Sequence, residues 1–461
     1  MSRMLNVTSI FLLAMSAACG VEHAANDAVA QTSAALEANR NPFGIAESFH
    51  TTGAIDFTNP MFIPLGTNAR TCATCHAPDM GWTMTATGVA RLFRQSDGLA
   101  PVFLPHDEGS RPDADLSTEA SRRAAFAPTL LGLGLTRFTR TLPATSEFTV
   151  LAVEDPSGFS TPARFLNFRR PTATANEART SSILWTAGAQ PSIGAAVAGL
   201  FVGAATLHLQ RDPASPTPVE QQNAGRDFLL DLFFAQIVDN RAGRLDAAGA
   251  KGGPENVFLQ PFTLGVNDIL SPSFTRKVFD LYDAWAVFDQ DNGHGDCRDD
   301  RARGAARAAI YRGQEIFNNH EFDITGVPGF NDVLGLDPVR GTCSTCHNVP
   351  NIGGHAVIRM IDTGTANEPS CDPALPILTL QNKLTLETRR VCDLGRGGNG
   401  VWADVAKFRV PPLRGLAARA PYFHDGQARD IAAVITYYQR RFDMGLSHRQ
   451  RDDLEAFLGA L

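Results

Sequence analysis

Cys72-Ala73-Thr74-Cys75-His76 and Cys343-Ser344-Thr345-Cys346-His347 each place two thiols and an imidazole within five residues. Two thiols one turn apart can add to the two vinyl groups of one porphyrin. The His that follows can then bind its iron. C-x-x-C-H is the attachment signature of c-type haem. Two such motifs predict two covalently held haem c groups, and with them redox chemistry. A four-Cys zinc site would draw both of its pairs from one small module. A thioredoxin-like pair would sit in a βαβ setting. Neither setting surrounds these motifs.

The start of the chain fits that chemistry. Arg3 precedes the apolar run Ile10-Phe11-Leu12-Leu13-Ala14-Met15, followed by small residues and Cys19. This is the form of a secretory signal, too short to span a bilayer as a mature helix. Ser16-Ala17-Ala18-Cys19 resembles a bacterial lipoprotein box, with Ser16 where Leu is usual; Ala28-Val29-Ala30 is a conventional small-x-small site. Either outcome predicts export to the periplasm or outer membrane, the first with a lipid anchor at Cys19. Bacteria attach c-type haem outside the cytoplasm.

The 461 residues are 44% hydrophobic and 19% charged with net charge −7, which describes a globular chain with material for two or three domains. Mild acidity and the lack of a Lys/Arg block argue against nucleic acid as a partner. Its 28 prolines and 40 glycines predict many loops. Outside the motifs stand Cys19, Cys297, Cys371 and Cys392. Cys371 with Cys392 is the preferred disulfide, and pairings with Cys297 stay open.

The elements that position the motifs are mainly helical. Residues 195–209, 221–238, 301–317, 430–442 and 447–461 read as helices, the last opening on a capping box from Ser447 to Gln450. Glu147 to Val153 has a β bias, and Asp155-Pro156-Ser157-Gly158 reads as a turn. Residues 289–300 form a polar interdomain link. The one internal repeat is the Cys-x-x-Cys-His motif, which predicts two related domains. The expected architecture is mainly α: residues 1–30 a signal with a tether beyond it, about 45–290 an N-terminal haem domain with insertions, and 300–461 a C-terminal cytochrome c-like domain, with long loops and small β insertions.

Lys407-Phe408-Arg409-Val410-Pro411-Pro412-Leu413-Arg414-Gly415 runs into Ala420-Pro421-Tyr422-Phe423-His424-Asp425-Gly426 and a terminal helix ending Asp453-Leu454-Glu455-Ala456-Phe457-Leu458. This stretch resembles the bacterial di-haem cytochrome c peroxidases, including the MauG group that oxidises protein tryptophans. The likeness is close over about 300–461 and looser over about 50–210. It implies a peroxide-reactive haem on Cys72, Cys75 and His76, and a relay haem on Cys343, Cys346 and His347.

The resemblance also implies a sixth ligand for the relay haem, Met in the peroxidases and Tyr in the MauG group. That position falls on Tyr437, with Tyr438 and Met444 as rivals. A phenolate ligand would favour high iron oxidation states. Trp185 takes the place of the family's inter-haem Trp, although Thr186-Ala187-Gly188 follows it instead of Asp-Gly-Arg. The family's distal Glu has no counterpart. His208 stands nearest that place, and three readings compete for it: acid/base, iron ligand, or hydrogen-bonded core residue. Gln210 is the alternative distal donor, with Glu177 and His106 behind it. His424 would order propionates or backbone. Ca2+ between the haems is implied too, with Asn176 as one contributor. The implied partners are H2O2 or O2 and a small donor such as a cytochrome or cupredoxin. A non-catalytic electron carrier and an oxygenase acting on an apolar substrate are the competing functions.

Overall fold

The computed structural model describes residues 38–104, 110–111, 113–186, 192–290 and 298–461. The signal, Cys19, His106, Cys297, Ala187, Gly188 and the centre of the proposed link lie outside the described residues.

Two long helices frame the second motif. Arg298–Asn319 and His448–Gly459 pack together, and they approach so closely that a Cβ on Gly313 would sit 2.0 Å from the Asp453 carbonyl oxygen. Arg312 grips Asp453 with two hydrogen bonds, 2.8 and 2.7 Å. Phe279, Phe317 and Phe457 fill the interface with ring centroids 5.2–5.7 Å apart. Phe317 continues the cluster to the His347 ring at 6.2 Å. The expected box caps the last helix: Ser447 Oγ accepts from Gln450 N at 3.3 Å, and Gln450 Oε1 accepts from Ser447 N at 3.0 Å. Ser447→Ala will cost about 1 kcal/mol, readable as a lower denaturant midpoint with unchanged slope.

The expected helix at 221–238 is two elements. Val219–Leu230 is helical, and Leu232–Asp239 is a strand. Phe233-Phe234-Ala235-Gln236-Ile237 is buried on both faces, which suits a central strand better than a one-sided helix. It pairs antiparallel with Gly44–His50 on one edge and Gly243–Arg244 on the other. Ile193–Leu207 is a helix as expected, N-capped by Ser192, whose Oγ accepts from Ala195 N at 3.1 Å.

Helix outweighs strand, and the strands form five small sheets among the described residues. The expected β segment is the strand Phe148–Glu154, and Gly158 N closes its turn on Asp155 O at 3.0 Å. That strand pairs with Ile377–Asn382, itself paired with Thr388–Val391. The early and late parts of the chain therefore share one sheet. Beside it the Cys371–Cys392 disulfide is formed. Arg169 meets Asp393 through Nε at 2.6 Å and Nη2 at 2.7 Å, with Asn167 Nδ2 adding 2.9 Å. Burial works against ionisation of Asp393, but Arg169 outweighs it and holds the carboxyl far below its ordinary range. No described helix is long and apolar enough to cross a membrane.

Candidate functional site: two Cys-x-x-Cys-His turns and the cavity beside the second

Both motifs fold into the same local form. Cys72–Thr74 is a 3-10 turn, and Cys343–Cys346 is one helical turn. Each is bracketed by two threonines: Thr71 N donates to Thr74 Oγ1 at 2.9 Å, and Thr342 N to Thr345 Oγ1 at 2.8 Å. The next amide returns to the first Cys carbonyl, from His76 at 3.0 Å and His347 at 3.1 Å. The repeated unit is thus Thr-Cys-x-Thr-Cys-His. Its threonines are visible in the sequence and escape a reading that stops at the cysteines.

None of the four thiols is in a disulfide. Burial pushes Cys72 up to about 11 and Cys343 and Cys346 up to about 12. The histidines move the other way. Burial pulls His76 and His347 down to about 4, so both rings are neutral at neutral pH with a lone pair to offer a metal. His347 Nδ1 donates to the Gly353 carbonyl, which fixes the tautomer and leaves Nε2 as the ligand atom. Gly353 has φ +74, and a Cβ there would lie 2.9 Å from Leu413 and Phe279. Gly353→Ala will therefore turn the His347 ring. The expected result is a stability loss of about 1–3 kcal/mol and, if His347 holds a haem c, a shifted Soret band, measured by absorption during thermal unfolding.

Next to the second motif lies a large cavity lined by Cys343, Cys346 and His347 and walled by Phe317, Ile435 and Leu458. Thiols, a ligand-ready His and apolar walls fit a haem c. Tyr438 and Met444 also line this cavity. Tyr437 does not: it lines a separate surface groove with Arg440 and Arg441, and its hydroxyl donates to the Thr363 carbonyl at 3.0 Å. Tyr438 lies near Cys346 and Cys343, and burial pushes its phenol strongly up; Tyr437 is pushed up to about 12. The two rings touch edge to face at 5.3 Å.

At the first motif, His76 Nδ1 is buried without a hydrogen-bond partner. Burial is the main cause of its lowered pKa, and the nearby His208 imidazole adds to it. His208 is therefore brought to the first motif, but not on a helix face: it is the C-cap of Ile193–Leu207 and exposed. Its segment is sewn to the loop before Cys72. Asn68 Nδ2 and Arg70 Nη1 donate to the His208 carbonyl at 2.9 and 3.3 Å, and Thr67 Oγ1 to that of Gln210 at 3.0 Å. A Cβ on Gly66 would fall 1.8 Å from Leu209 O, so this contact requires glycine. Gln210 is exposed, in the left-handed region at φ +56.

Trp185 lines the cavity. Its Nε1 donates to the Arg170 carbonyl at 2.7 Å, and its ring stands edge-on to Phe408 at 6.4 Å and His424 at 6.5 Å. Asn176 is committed to backbone. Its Nδ2 donates to Phe234 O and its Oδ1 accepts from Phe234 N, both at 2.9 Å. Among the described residues the one cluster of ligand type is Cys392, His424 and Asp425, and Cys392 is spent in the disulfide.

No family model matches the chain. Two characterised proteins do. It is 40% identical over 83 residues to the methylamine utilization protein MauG of Methylorubrum extorquens, covering 15% of this chain and 24% of that protein. It is 30% identical over 138 residues to the cytochrome-c peroxidase IdrP2 of Denitromonas iodatirespirans, covering 26% of this chain and 36% of that protein. The chain thus spans about a quarter to a third of these relatives. A solved MauG-like protein associated with microbial copper homeostasis aligns over 87% of both chains at 14% identity and TM-score 0.35. Over these stretches the chain is similar to proteins named for the MauG and cytochrome-c peroxidase types.

Proposed function

We propose that this chain is an exported di-haem c-type oxidoreductase that reduces H2O2 at the first motif and relays electrons through the second. The observation that carries the reading is the duplicated turn, Thr-Cys-x-Thr-Cys-His, each copy ending in a half-buried imidazole that is neutral at neutral pH. Haem c, when bound, supplies the iron that exchanges electrons and meets peroxide or O2. The chain's own residues do the rest. Cys72 and Cys75, and Cys343 and Cys346, hold the groups through thioether bonds. His76 and His347 supply the proximal nitrogen. His208 takes the proton from the near oxygen of peroxide and returns it to the far one, with Gln210 as the alternative donor. Trp185 spans the gap between the sites. Tyr438 and Met444, which line the cavity, join Tyr437 as candidates for the sixth position at the second site. The electron donor is a small cytochrome or cupredoxin, and a lipid on Cys19 would tether the protein to a membrane.

A second reading has an observation of its own. His208 lies near enough to His76 to affect it, so it could equally close the first site and leave an electron carrier. EPR of the ferric protein decides. A high-spin signal beside a low-spin one leaves a face open and supports peroxide turnover. Two low-spin signals, with no turnover after partial reduction, would sink the peroxidase.

A further inference from the structure

Arg170, Arg409, Arg419 and His424 line the cavity beside the second motif, and all are more than nine-tenths buried: 6%, 5%, 8% and 2% exposed. Each arginine is anchored by one carbonyl: Arg170 Nη2 donates to Met84 O at 2.6 Å, Arg409 Nη1 to Ser182 O, and Arg419 Nε to Gly81 O at 3.1 Å. Gly81 and Met84 belong to the loop that follows His76, so the cluster is held from the first motif while it opens toward the second. Each anchored group still has a nitrogen with nothing to bond: Nε of Arg170, Nε of Arg409, Nη2 of Arg419, and both ring nitrogens of His424.

The charges do not balance. Glu177 is the one carboxylate among the lining residues, its Oε2 3.9 Å from Arg409 Nη1 and without a hydrogen bond. Asp393 is 3.9 Å from His424 Nε2, but its charge is already matched by Arg169. Tyr422, the other titratable neighbour of Arg170 and Arg419, is a neutral phenol pushed up by burial. Three buried guanidiniums face one carboxyl. Buried unpaired charge and unmet donors are costly, and guanidinium is shaped to take carboxylate oxygens in pairs. What fills the cavity must therefore bring anionic oxygens.

We propose that Arg170, Arg409, Arg419 and His424 form the cradle for the carboxylates of the haem attached at Cys343 and Cys346, with Glu177 as the counter-charge that sets the cradle's net charge. This rests on the di-haem reading. The cradle's sign is positive, so it favours the more negative, reduced state of that haem.

The test is a spectroelectrochemical titration of the purified holoprotein. Haem quantitation of the wild type comes first; fewer than two haems per chain sinks the di-haem reading itself, before any variant is made. With both haems present, Arg419→Gln should lower the midpoint of one haem and Glu177→Gln should raise it. Each shift should be about tenfold in the redox equilibrium constant, which is about 59 mV for one electron. Arg419→Lys, which keeps the charge, should hold the wild-type midpoint. Shifts of the same sign in Arg419→Gln and Glu177→Gln, or none, overturn the cradle. Haem loss in Arg419→Gln that Arg419→Lys restores also supports it. Loss that neither restores, with an unmoved Glu177→Gln midpoint, overturns it.

Discussion

On the proposed peroxidase reading, His208→Ala will slow H2O2 cleavage by about 10²–10⁴-fold, the range contributed by positioned acid–base groups. On the same reading both haems will stay attached, because no thiol and no proposed proximal imidazole is touched. The argument is one of position. The His208 carbonyl is fastened by Asn68 and Arg70 to the loop that leads into Cys72, and its ring is close enough to His76 to help lower that pKa. Rapid mixing with peroxide, following the Soret band, measures the effect. An unchanged rate would remove His208 from the proton transfer and make Gln210→Ala the next variant. A faster rate, with a low-spin EPR signal turning high-spin, would mean that His208 closes the site.

Glu177→Gln will raise stability more at about pH 8 than at about pH 4.5. Burial raises the Glu177 carboxyl from 4.5 to about 7, against the lowering effect of Arg409 and Arg419. The folded protein therefore prefers the protonated acid. Its contribution is full below about pH 4.5 and is lost as the pH climbs through about 7, because the unfolded chain then sheds the proton freely. Denaturant unfolding of both proteins across that window measures it. Parallel curves at every pH would show that the carboxyl ionises without cost. Gln keeps the size and removes the charge, so packing is not the variable.

The two Cys-x-x-Cys-His turns were legible because the motif is local: the two thiols and the imidazole are neighbours in sequence. Ser447 and Gln450 were legible for the same reason, since a cap is a four-residue event. The strand at Phe233 was not. An apolar run buried on both faces has no period to distinguish it from a helix, and its partner Gly44–His50 is remote in sequence. Tyr437 and Tyr438 show how fine the margin is. Adjacent helical residues point about 100° apart, so counting one residue differently decides which phenol lines the cavity and which the groove. His208 belonged to a helix by its apolar neighbours, yet it marks the helix end. The arginine cradle could not be read at all. Its members come from separate segments, and only the fold brings residue 170 beside residues 409 and 419.

The strand Phe148–Glu154 finds its partner in Ile377–Asn382, far later in the chain. During synthesis or secretion the early strand waits as an unpaired ribbon, with Leu151 on its exposed face, until the later segment arrives. Distant pairings of this kind form slowly and leave sticky backbone edges in the interval. The first attachment turn faces no such delay, since its own bonds lie within residues 71–76. The local turn can therefore form before the distant sheet partner is available, and a chain truncated before residue 377 would leave the strand Phe148–Glu154 without its partner Ile377–Asn382.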